Sequence, residues 1–127
     1  MGRESGNLDL DAAAVVLASR QGRIEYWSPG ASHLFGYDLG HMVGGKVTSI
    51  IPEQFRARHW AAWRRAWQTN EMPEASPVMI PVLCGDGAVR PFVSHLLPIR
   101  APHGELLVVA AVWAPHSERD DGVRVLT

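Results

Sequence analysis

Six histidines are scattered along the 127 residues, and one of them stands in a setting unlike the others. His59 lies in the segment 52–67, where Phe55, His59, Ala62, Trp63 and Ala66 recur at helical spacing and make one face. A histidine on an otherwise apolar stripe either packs or binds something, and the function turns on which. Arg58, Arg64 and Arg65 project elsewhere. Trp63 falls on the core face, whereas Trp60 and Trp67 lie on its flank and mark a partner surface if exposed. His33, His41, His95, His103 and His116 have no metal-ligand spacing. The single cysteine, Cys84, gives neither a disulfide nor a metal cluster and reads as an inert thiol. No nucleophile elbow is present, and Gly44-Gly45-Lys46 lacks the upstream glycine of a phosphate-cradling loop. The chemistry on offer is therefore binding, and no enzymatic activity is expected.

The elements that must position His59 follow from pattern. Residues 52–67 form the longest helix, with Pro52 suited to its first position and Glu53 to its first turn. Before it, residues 13–19 and 24–27 read as two strands joined by a turn at 20–23. Ser28 and Pro29 open a short helix through Phe35 that Gly36 ends, and Asp38 opens another that Gly44-Gly45 ends. Residues 47–50 suit one more turn. After the long helix come three strands, at 77–84, 88–99 and 105–113, with Gly85-Asp86-Gly87 as a hairpin turn between the first two. Val78, Ile80 and Val82 share one face, with Met79 and Leu83 on the other. Pro91 implies an edge or a bulge. Short links between strands make the sheet antiparallel. The result is an α+β fold: a five-stranded antiparallel sheet flanked on one face by several short helices and one longer helix. Residues 1–12 are a lead-in, 13–114 the domain and 115–127 a flexible tail.

Composition narrows the class. Hydrophobic residues make up 46% and charged ones 20%, as in a globular domain with a real core. The formal net charge is −1, so no global field draws nucleic acid or an anionic membrane. The apolar run at 12–18 is too short to span a bilayer and, preceded by Glu4, Asp9 and Asp11, is not a signal peptide. A cytoplasmic location is the default expectation.

Several stretches together resemble the PAS domains of bacterial signalling proteins. They are Trp27-Ser28-Pro29-Gly30-Ala31-Ser32-His33-Leu34-Phe35-Gly36-Tyr37, Met42-Val43-Gly44, Ile51-Pro52-Glu53, Arg56-Ala57-Arg58-His59 and Asp86-Gly87. The resemblance covers about residues 13–113 and implies a sensory or interaction module, commonly a homodimer, that passes a signal to a partner protein. The opening of the long helix is most similar to the haem-binding PAS domains of oxygen-sensor kinases. That likeness implies haem b held by His59, with Arg65 near a propionate. The distal arginine of that subgroup is replaced, counting without gaps, by Met79, a candidate sixth ligand that favours carbon monoxide or redox sensing over oxygen. Imidazole and thioether are both accepted haem ligands. The expected pocket is lined by His59, Ala62, Ala66, Met79, Phe92, Leu96 and Ala110, with Val108 and Val112 facing the same way as Ala110, and Ser94 as a polar point between Phe92 and Leu96.

Two departures qualify the likeness. Ala114-Pro115-His116 stands where the family usually leads into a coiled-coil linker, and Pro115 breaks a continuing helix. The chain then reads either as a free-standing module or as part of a longer protein. The competing expectation is a cofactor-free PAS domain with a filled core that acts by dimerisation and protein contact.

Overall fold

The computed structural model describes residues 13–72, 77–113 and 124–125. The first strand, β1 (Ala14–Ala18), is apolar at every position; it is an inner strand, and four of its five residues are buried. It pairs antiparallel with β2 (Ile24–Trp27) through a turn in which Gly22 takes a left-handed φ of 77°. Ser28 ends β2 and caps α1 (Pro29–Phe35): its buried Oγ accepts from Ala31 N at 3.1 Å. The same Oγ accepts from Val15 N at 2.8 Å and donates to Ala13 O at 3.0 Å, which ties α1 to β1. Gly36, left-handed, closes α1 as expected.

Asp38 stands at the head of α2 (Leu39–Met42) but makes no side-chain cap bond to it; its carboxylate lies 3.4 Å from His41 instead. A 3-10 turn follows at Val47–Ile50. The long helix starts later than the sequence suggests. Pro52 stays extended at ψ 143°, its carbonyl accepts from Phe55 N, and Glu53–Phe55 form a 3-10 turn before α3 (Arg56–Thr69) begins. Pro52 thus acts as a cap for a tight turn rather than as a first helical residue. Asn70, left-handed at φ 61°, closes α3.

The remaining strands are β3 (Val78–Leu83), β4 (Val89–Arg100) and β5 (Leu106–Trp113). They complete a five-stranded antiparallel sheet in the order β2-β1-β5-β4-β3. A two-residue strand, β6 (Arg124–Val125), adds to the outer edge of β3 in the parallel sense. The sequence reading placed these two residues in a flexible tail; the rest of that tail and of the lead-in lies outside the described residues. Pro91 lies directly opposite Pro81. Counting from the bond between Cys84 N and Ala88 O, the two prolines fall at a pair that exchanges no hydrogen bonds, so neither missing N–H weakens the ladder. Among the described residues, pairing of β4 with β5 ends at Ser94, short of Pro91.

The helices cover one face of the sheet. Trp27, Phe35, Phe92 and Trp113 form the densest part of the core beneath them, with Phe35 edge-on to Phe92 at 5.1 Å and to Trp113 at 5.0 Å. A smaller cluster of Trp67, Leu106 and Val109 lies under the end of α3. No described helix is long and apolar enough to cross a membrane.

Candidate functional site

α3 is held over the sheet at its ends rather than packed flat along it. At its start, Arg56 Nε donates to Ile51 O at 2.8 Å. Along its length, Trp63 Nε1 donates to Arg20 O, in the turn between β1 and β2, at 3.1 Å. At its end, Asn70 Oδ1 accepts from Leu106 N at 2.7 Å and Asn70 Nδ2 donates to Gly104 O at 3.1 Å. Arg100 Nη1 adds a bond to Asn70 O at 3.0 Å. Between these points two of the residues on the inward wall are small, Ala62 and Ala66, and they leave space.

That space is a cavity of about 180 Å³ between α3 and the sheet. His59, Ala62, Trp63 and Ala66 form its helical wall. Val16, Ile80, Val82, Leu96, Val109, Ala111 and Trp113 form the sheet wall, and Val47, Ile50 and Ile51 close the end beneath α2. The lining is apolar apart from His59, Arg58 and the indole nitrogens. His59 is half-buried, and its ring stacks on Trp63 with centroids 5.8 Å apart and planes 21° from parallel. Its Nδ1 is buried and has no hydrogen-bond partner. Burial lowers the imidazole pKa below its ordinary 6.5, which favours the neutral ring. Three further buried polar atoms lack a partner: Trp67 Nε1, Ser94 Oγ and Trp113 Nε1. Buried polar groups are nearly always paired, so these exceptions, two of them on the lining residues His59 and Trp113, ask for an explanation.

Of the residues picked from the sequence, His59, Ala62, Ala66 and Leu96 line the cavity. Phe92 shares the inward face but packs against Phe35 in the core beyond it. Ala110 faces away, as do Val108 and Val112. Leu96 is paired with Ala111, and cross-strand partners share a face, so Val109, Ala111 and Trp113 supply this wall. Met79 is also on the far side, because it alternates with Val78 and Ile80, and it pairs with Val93. Arg65 is exposed and does not reach the cavity. Trp67, read as a flank residue that would mark a partner surface if exposed, is buried against Leu106 and Val109, and Trp60 is half-buried over Gly22. The residues missed include Ile80 and Trp113. The first was signalled by its alternation with Val78 and Val82; the second had no signal, since β5 is apolar on both faces.

Haem does not fit this arrangement. A cavity of about 150 Å³ suits a molecule the size of benzene, and 180 Å³ is far short of a tetrapyrrole with its propionates. The residues expected at the propionate and the sixth position, Arg65 and Met79, lie outside the cavity.

Residues 8–121 match the family described as "PAS fold". No curated protein matches the chain by sequence. Among solved structures, a PAS domain from Colwellia psychrerythraea is similar with a TM-score of 0.69 at 19% identity, covering 84% of this chain and 88% of that one. The PAS domain of the Cronobacter turicensis RpfR quorum-sensing receptor, in complex with C12:0, has a TM-score of 0.64 at 13% identity, covering 88% of this chain and all of that one (100%). An RNA-binding light-oxygen-voltage receptor has a TM-score of 0.64 at 18% identity, covering 80% of this chain but 29% of that one.

Proposed function

The chain belongs to the PAS fold family, and we propose that it works as a sensory module whose input is a small ligand held between α3 and the sheet. The observation that carries this reading is the apolar cavity of about 180 Å³ between α3 and the sheet, with His59 in its helical wall. Apolar walls with a few placed polar groups are the usual make-up of a small-molecule site. The lining also favours binding over catalysis: among the described residues its titratable members are Arg58 and His59, and no carboxylate, thiol or serine lines it. The similar RpfR PAS domain is described in complex with C12:0. Output passes through protein contacts, with a second copy of the chain as the first partner.

Native mass spectrometry of the purified protein, followed by a thermal-shift panel of benzene-sized compounds, tests this. A ligand at a hundredfold excess over its Kd raises stability by about 2.7 kcal/mol. No bound molecule and no compound that shifts the melt would overturn the reading. A haem titration is expected to give no Soret band that depends on His59, as judged against His59→Ala.

The dimerisation reading has its own support. Leu97 and Ile99, 48% and 42% exposed, alternate outward on the sheet face away from the helices.

A further inference from the structure

The polar atoms of the cavity wall are largely spent or sealed. β5 pairs with β1 on one side and β4 on the other, so its backbone groups are taken up in the ladders. Trp63 Nε1 is spent on Arg20 O, 3.1 Å away. The unpartnered nitrogens of two lining residues, His59 Nδ1 and Trp113 Nε1, are closed off from solvent, and an occupant's oxygen reaches them no better than water does. Arg58 is exposed, as suits a long cation that lays its stem on an apolar wall and keeps its head in water. Among the described residues, the rest of the lining offers hydrocarbon and aromatic rings. A water molecule needs two to four polar partners to stay in such a space. An oxygen-bearing ligand has the same difficulty, because it gives up hydration and gains no bond in return.

We infer that the cavity selects an uncharged hydrocarbon, recognised by size and shape without a hydrogen bond, and that Ala66 and Ala111 set the size admitted. Ala66 lies on the helical wall and Ala111 on the sheet wall, and a side chain longer than a methyl group at either place would project into the space. This inference rests on the ligand-binding reading above, since it names the class of ligand for the same cavity. It leaves carboxylates, alcohols and ketones without an advantage over the parent hydrocarbon.

Probes of similar size separate the possibilities: ethylbenzene, acetophenone, 4-ethylphenol and benzoate. Acetophenone offers an acceptor, 4-ethylphenol tests the other ring nitrogen of His59, Nε2, as an acceptor, and benzoate tests the Arg58 guanidinium. Binding is followed by titration in ¹H–¹⁵N spectra of the full chain. Ethylbenzene is expected to bind about tenfold more tightly than acetophenone or 4-ethylphenol, the cost of one oxygen stripped of water and left unpaired. Benzoate is expected to bind least. Ala66→Leu and Ala111→Leu should each weaken ethylbenzene by about tenfold or more, and should cost ethylbenzene more than benzene. Two variants on opposite walls guard against a folding defect in one, and the comparison of probes on the native protein needs neither. Equal or tighter binding of any oxygen-bearing probe would overturn the inference and leave the cavity reading standing. Ethylbenzene binding that survives both substitutions would also overturn it. Binding of none of the probes would overturn both the inference and the reading beneath it.

Discussion

Burial holds the His59 imidazole below its ordinary 6.5, so the unfolded chain takes up the proton first as the solution is acidified. The stability tied to this group is complete above about pH 6.5 and is lost as the pH falls through that value. Urea unfolding at pH 7.5 and 5.5 should show the loss in the native protein and not in His59→Leu. At neutral pH the leucine variant should be as stable or more so, by about 1 kcal/mol, because it removes a buried nitrogen without a partner. A variant that loses several kcal/mol at pH 7.5 would mean that His59 is a satisfied core residue. The helical half of the cavity was legible at this scale, because 3.6-residue spacing puts His59, Ala62 and Ala66 on one face. The sheet half was not. β5 reads Leu-Leu-Val-Val-Ala-Ala-Val-Trp, with no polar residue to mark its faces, and only pairing with Leu96 decides between Ala110 and Ala111. Met79 was placed by ungapped counting against the family likeness, although its own alternation with Val78 and Ile80 put it on the far face.

At the scale of elements, α1 and the β3–β4 turn meet backbone to backbone. Gly85 N donates to Phe35 O at 2.8 Å, and a Cβ added to Gly85 would fall 2.1 Å from Gly36 O. Gly85→Ala is therefore expected to destabilise the domain by about 2 kcal/mol or more, read as a lower urea midpoint. Gly87→Asn, in the same turn, should cost less: no atom lies within 4 Å of its Cβ, and asparagine tolerates the left-handed φ of 89°. Equal losses would mean that turn strain, not this close approach, sets the sensitivity. The Asp86-Gly87 hairpin and the Ser28-to-Gly36 helix were both legible, since their turn and cap residues act locally. Their contact was not, because nothing in either segment encodes the other's backbone. The late start of α3 has a similar cause: Pro52 suits a helix's first turn and an extended cap equally well, and here it is extended.

For the whole molecule, the sheet presents two different faces. One is closed by the helices around the cavity; the other carries the exposed Leu97 and Ile99. A Leu97→Ser/Ile99→Ser double variant should change the stability of the folded chain little, as exposed side chains do, while light scattering reports a fall in self-association. An unchanged mass would remove this face from the proposed dimer. The layered α+β architecture was legible from element order alone, and so was the antiparallel sense of the sheet. β6 was not, as two residues carry no periodicity. The suspension of α3 has a consequence for time rather than for affinity. The helix is moored to the β1–β2 turn through Trp63 and to the β4–β5 turn through Asn70. An occupant of the space below it leaves by that wall only when a mooring parts. For exit by that wall, dwell time is set by how often those bonds break and not by affinity alone.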